Sequence, residues 1–165
     1  MTRERRAVDH YLATLRIVIG FMFLWAFIDK LFGFGFATPL GQGWLAGVSP
    51  TTGFLAQATY GPFVNWFHAL SGSGLVDWLF MLGLLFVGTS YITGAALRPA
   101  SLAGMLMMTL KFLSLFPPKT NPFLDEHVLF FLLFLAYSTG ELGHPTSFDE
   151  WWRTTALVKA IPFLA

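Results

Sequence analysis

Three short stretches of this chain set ionisable side chains into otherwise apolar sequence: Asp29-Lys30, Lys111, and Asp125-Glu126-His127. Charges at such positions are costly in an apolar medium, so they pair, face a cavity or do chemistry. A lysine held beside carboxylates can bind a small anion, and a nearby histidine can move a proton near neutral pH. Lys119 and Asn121 join the group through the proline-rich stretch Pro117-Pro118-Lys119-Thr120-Asn121-Pro122. Trp25 stands four residues before Asp29 and shares its helical face, with Met22 one turn below. Each residue also has a plainer use. Asp29-Lys30 can mark a helix end, Lys111 can snorkel to water, and Asp125 and Glu126 suit a helix N-terminus.

The elements that would position these groups are helices in a membrane. The chain has 165 residues, 55% hydrophobic and only 12% charged, with 19 Phe and a formal net charge of +1. A soluble domain carries about a quarter charged residues. This composition argues against a nucleic-acid binder, a disordered tail or an ordinary cytosolic enzyme. Apolar runs predict transmembrane helices over 11–32, 75–97, 100–116 and 124–142, as a four-helix all-α membrane bundle in one domain. Residues 125–141 span roughly 24 Å, so both ends of that run can reach head groups. The runs are too long and unalternating for barrel strands.

The basic start Arg3-Glu4-Arg5-Arg6 resembles a signal peptide, but no small-x-small site follows, so the first run is expected to stay as a helix. Lys and Arg in the connecting segments favour both termini on the cytoplasmic side of the cell membrane. On this topology all the charges named above gather at the outer rim. The outer loop, 33–74, is too long for a bare turn. Ser49-Pro50 predicts a helix start, and Phe63, Trp66, Phe67 and Leu70 fit one apolar stripe, with Asn65 and His68 off it. Short interfacial helices are therefore expected there. The tail, 147–165, opens with a capping-box pattern and carries Trp151-Trp152, as an inner amphipathic helix would.

Cofactor chemistry is narrowed mostly by what is missing. With Cys 0, disulfides, thiol nucleophiles, cysteine-held zinc or iron–sulfur clusters and covalent c-type haem are excluded. His10 and His127 fall at opposite ends of the expected bundle, which disfavours a bis-histidine haem. No Gly-rich phosphate cradle, flavin or dinucleotide fingerprint and no metal motif is present. Lys111 shares a face with Met107, Met108 and Ser114. Such an aromatic and methionine-lined surface beneath a polar cap suits a quinone ring and its tail, though stripes of this kind more often serve simple helix packing.

Leu15-Arg16-Ile17-Val18-Ile19-Gly20, Phe23-Leu24-Trp25-Ala26 and Asp29-Lys30-Leu31-Phe32-Gly33 resemble the first helix of DoxX/DoxD-family membrane proteins. Gly43-Trp44-Leu45, Ser49-Pro50-Thr51 and Gly53-Phe54-Leu55 resemble the loop of the DoxD-like branch. Asp77-Trp78-Leu79-Phe80-Met81-Leu82-Gly83 and Asn121-Pro122-Phe123-Leu124-Asp125-Glu126-His127 extend the likeness to most of the chain. The resemblance implies a four-helix protein linked to quinone redox chemistry. That branch is named for the large subunit of thiosulfate:quinone oxidoreductase, which makes tetrathionate. On that reading Lys111 and Lys30 bind the anion, Asp29 and Asp125 hold those lysines, and His127 relays a proton to reduced quinone. Lys119, Asn121, Glu126 and Trp25 complete the binding site. The chain has no electron carrier of its own, so quinone must contact the sulfur donor closely or a small second subunit or another copy must help. The alternatives are a non-catalytic membrane subunit docking a partner oxidoreductase and, less favoured, a small-solute carrier.

Overall fold

The structure, a computed structural model, describes residues 3–119, 121, 123–139, 142 and 147–164. The described residues are helical or irregular, with no strand among them. Helix α1 runs Arg3–Phe32; a short 3-10 turn at Trp44–Ala46 and a π turn at Phe54–Ala58 precede α2, Val64–Leu70. There follow α3, Gly74–Thr93; α4, Leu97–Ser114; α5, Glu126–Tyr137; α6, Ser147–Thr154; and α7, Ala156–Ala160. The stretches Ala7–Phe32 and Gly74–Thr93 are long and apolar enough to cross a bilayer. Helix α5, at 12 residues, is roughly 18 Å long, short of the full apolar thickness of a membrane.

The helix ends differ from the hydropathy runs for local reasons. Helix α3 stops at Thr93 because Gly94 takes a left-handed φ of 85° and its N–H returns to the Ser90 carbonyl. Helix α4 starts before Pro99, since proline in a first turn has no N–H to lose. Helix α1 extends through the polar residues Arg3 to His10, which hydropathy leaves outside the span. Glu141, His144 and the side chains of Ser147 and Glu150, the two ends of the capping box, lie outside the described residues.

Helix α1 packs on α3, α3 on α4, and α4 on α5. Ile19 and Phe23 of α1, Met81, Leu84 and Val87 of α3, Met105 and Met108 of α4, and Phe134 of α5 meet in one core. Phe134 is edge-on to Phe23 at 5.4 Å and to Tyr91 at 5.2 Å, a favoured aromatic geometry. Around this core the usual polarity is inverted. Arg16, Asp29, Asp77, Ser101 and Ser114 are buried, while Leu75, Leu79, Leu82, Phe86, Leu106 and Leu132 are exposed.

The segment 33–74 folds over the end of the core where α1 stops. Asp77, buried in the first turn of α3, accepts hydrogen bonds from the hydroxyls of Ser49 and Thr51. Ser49 Oγ in turn accepts from the N–H groups of Thr51 and Thr52, making a turn where the sequence predicted a helix start; the π turn begins later, at Phe54. Of the expected stripe Phe63, Trp66, Phe67 and Leu70, only Phe67 is buried; Trp66 and Phe63 face outward. The segment is fastened to α4 where the Tyr60 N–H donates to the Ser114 carbonyl at 3.1 Å. Beside this bond Gly61 has φ +85°, and a Cβ there would collide with the Phe116 carbonyl. Gly61→Ala is therefore expected to destabilise the protein by about 2 kcal/mol, from strain and lost fit together. Thermal unfolding in detergent, against Gly53→Ala in open space, checks it.

Candidate functional site

Lys111 lies one turn before the end of α4, where Ser114 Oγ donates to its carbonyl at 2.7 Å. Its ammonium sits 3.7 Å from the centre of the Phe54 ring, over the π turn. Lys30, in the last turn of α1, has its ammonium 5.9 Å from the Phe80 ring of α3. The two lysines are close enough to repel one another, and Glu126 attracts Lys111 from the first turn of α5. Asp29 attracts its neighbour Lys30. Neither lysine has a carboxylate in direct contact among the described residues; His127 has one in Asp125. A desolvated cation on an aromatic face gains about 2 kcal/mol, which helps explain how the ammoniums are tolerated here.

The acids expected to hold these lysines have other work. Asp29 is buried, and its carboxylate accepts from the backbone N–H of Thr38 at 2.8 Å and of Phe36 at 3.4 Å. It thereby turns the chain back over the end of α1. Asp125 is the N-cap of α5: Oδ1 accepts from the N–H of His127 at 3.0 Å and of Val128 at 3.3 Å. Its Oδ2 lies 2.8 Å from His127 Nδ1 and so fixes that ring. In the structure Asp29 orders a loop while attracting Lys30 without touching it, Asp125 orders His127, and Glu126 is the acid that attracts Lys111. Loss of the Asp125 cap in Asp125→Ala is expected to cost about 1 kcal/mol of stability. Chemical denaturation in detergent micelles measures it, with Asp125→Asn, which keeps an N-cap acceptor, losing less.

The remaining sequence candidates are spread more widely. Lys119 places its ammonium 4.7 Å from the Tyr60 ring. Asn121 Oδ1 accepts from the N–H of Phe123 and of Leu124, a local turn that occupies its acceptor. Trp25 stands in an exposed aromatic group, edge-on to Phe36 at 5.2 Å and stacked on Phe21 at 6.3 Å. No contact ties any of these three to Lys30 or Lys111 among the described residues.

His127 lines an open hollow of about 110 Å³ between α4 and α5, together with Met108, Thr109, Phe112, Val128 and Phe131. With Nδ1 held by Asp125, the other ring nitrogen is the one free to meet a ligand or pass a proton. The lining is apolar or weakly polar apart from His127, and Met108, Thr109 and Phe112 come from the lysine-bearing helix. This arrangement can hold a flat apolar molecule and offer one hydrogen bond.

A second polar group was not visible as a unit in the sequence. Arg16 is fully buried on α1 and interacts electrostatically with Tyr91 of α3 and Tyr137 of α5. Tyr91 shares a 2.6 Å hydrogen bond with Ser101 of α4, and Tyr137 donates to the Leu12 carbonyl. Its only sequence signal is an arginine interrupting an apolar run. Phe54 and Phe80, the rings under the two lysines, carry none, because aromatic residues are abundant in this chain. No protein-family model matches this chain, and no curated protein or solved structure matches it either.

Proposed function

We propose that this chain is a multi-pass membrane protein of the DoxX/DoxD type, with α1, α3, α4 and α5 crossing the bilayer, that transfers electrons from thiosulfate to quinone. The inverted polarity supports the membrane reading, since apolar side chains face out on every long helix while charges sit inside. The observation that carries the redox reading is the pair Lys30 and Lys111, each with its ammonium over an aromatic ring and with no carboxylate in contact among the described residues. Such a pair is stabilised by a small dianion between or beside them, and thiosulfate is one. The hollow at His127 would take the quinone ring, with Met108, Phe112 and Phe131 against it.

The reaction joins two thiosulfate dianions by a new sulfur–sulfur bond to give tetrathionate. The two electrons released reduce one quinone to quinol, which also takes up two protons. His127, oriented by Asp125, would deliver a proton to the quinone oxygen nearest it. The lysines would offset the repulsion between two dianions brought close together. Donor and acceptor must meet within this one site, or a second subunit must bridge them, because the chain supplies no carrier of its own.

The test is thiosulfate-dependent reduction of a short-chain quinone by the purified protein in liposomes, with tetrathionate measured as product. Turnover supports the reading. Absence of turnover, both alone and with any partner co-purified from native membranes, removes it. Recovery of a soluble oxidoreductase in equal proportion with no turnover by this chain would favour the docking-subunit alternative.

A further inference from the structure

The C-terminal segment takes no part in the site above, yet it is held firmly to the far end of the core. Arg98, in the first turn of α4, donates to the Thr139 carbonyl at 3.1 Å and to the Pro162 carbonyl at 3.4 Å. Trp152 Nε1 donates to the Leu164 carbonyl at 2.8 Å, closing the segment on itself. Thr155 breaks the helix and caps α7 by accepting from the Val158 N–H. Val158 is buried.

Despite these ties the segment leaves large apolar side chains outside. Phe148 and Trp151, three apart on α6, have ring centres 5.2 Å apart and both are exposed. Leu157 and Ile161, four apart, are exposed along α7. The basic residues Arg153 and Lys159 each follow an apolar one by two positions, which turns them to roughly the opposite side of the helix. The apolar surface also continues onto α4, against which the end of the segment packs. There Leu102, exposed, lies one turn from Arg98 on the same face.

We propose that Ser147–Leu164 lies in the head-group layer of the bilayer, with Phe148, Trp151, Leu157 and Ile161 turned into the lipid, so that the lipid surface is its partner. The inference rests on the membrane part of the proposed function and on none of its redox part. An amphipathic helix of this kind buries its apolar face about 5–10 Å into the boundary between head groups and chains. An indole suits that layer, and the basic side chains face lipid phosphates and water. The Arg98 clasp sets the height, because it ties the segment to the end of a helix that crosses the membrane.

The chain has no cysteine, so single cysteines can carry a spin label without background. Labels are placed at Trp151→Cys, Leu157→Cys, Lys159→Cys and, on α3, Leu82→Cys, in the full chain in phosphatidylcholine–phosphatidylglycerol vesicles. Collision with oxygen reports lipid, and collision with a water-soluble nickel chelate reports water. The expected result is a ratio of oxygen to nickel collisions several-fold higher at 151 and 157 than at 159, with 82 highest. Equal ratios at 151, 157 and 159, or protection of 151 and 157 from both reagents, overturns the proposal while a lipid-exposed 82 leaves the membrane reading standing. A water-exposed label at 82 overturns both. Use of two labels on separate helices guards against a single substitution that disturbs folding.

Discussion

Replacing Gly88 by leucine should part α1 from α3 and unfold much of the protein. At this crossing the two helices touch backbone to backbone. A Cβ at Gly88 would stand 2.7 Å from the Leu24 nitrogen and 2.9 Å from its Cα, and one at Gly20 would stand 2.7 Å from the Ile92 nitrogen. These are main-chain atoms, so no side chain can swing aside to make room. Small residues at helix contacts let backbones approach in this way, and the approach supplies much of the packing energy where lipid replaces water. Overpacking ordinarily costs about 1–3 kcal/mol; here a whole leucine meets fixed backbone, so the expected loss is about 3 kcal/mol or more. Unfolding in mixed micelles by increasing denaturing detergent should show a much earlier transition for Gly88→Leu. Gly74→Ala, at a position with open space around it, should unfold with the unaltered chain.

The largest expected effects on activity are at Lys111 and His127. Lys111→Ala should lower the rate of thiosulfate-dependent quinone reduction by about 100-fold, the usual scale for removing one charge-stabilising donor. The loss should fall on both kcat and the KM for thiosulfate, and leave the KM for quinone nearly unchanged. His127→Gln should lower kcat by about 100-fold or more, since an amide can donate a hydrogen bond but cannot pass a proton at neutral pH. Its effect on the KM for thiosulfate should be small. Lys159→Ala, on the tail, should leave all constants alone. If Lys111→Ala retained full turnover, the lysine pair would be a packing feature and the anion site would lie elsewhere.

The helical architecture was legible in the sequence because apolar runs and glycine or proline punctuation act locally. The Ser49-Pro50 signal fell on a side-chain turn over Thr51 and Thr52, a few residues before the π turn that begins at Phe54. The partners of the charged residues were not legible. Asp29 could as easily have met a lysine as the backbone N–H groups seven and nine residues on, and only the folded loop decides between them. Likewise, the capping residue of α5 looked like one acid among several, whereas its position one step before the helix commits it to its own backbone and to His127. Depth alone suggested that Lys111 would meet Asp29 or Asp125, and the structure gives neither contact among the described residues. The rings beneath the lysines and the tyrosines around Arg16 came from distant parts of the chain, and spacing carries no trace of them.

The fastening of the 33–74 segment has a consequence for how the protein is made. Its middle is held by the Ser114 carbonyl, which emerges from the ribosome more than fifty residues after Tyr60. Until α4 has been made, Asp29 can hold Phe36 and Thr38 and Asp77 can hold Ser49 and Thr51, but Tyr60 lacks its Ser114 partner. Nascent chains arrested short of Ser114 should therefore be cut by added protease near Tyr60 and Gly61, and chains arrested well beyond it should resist.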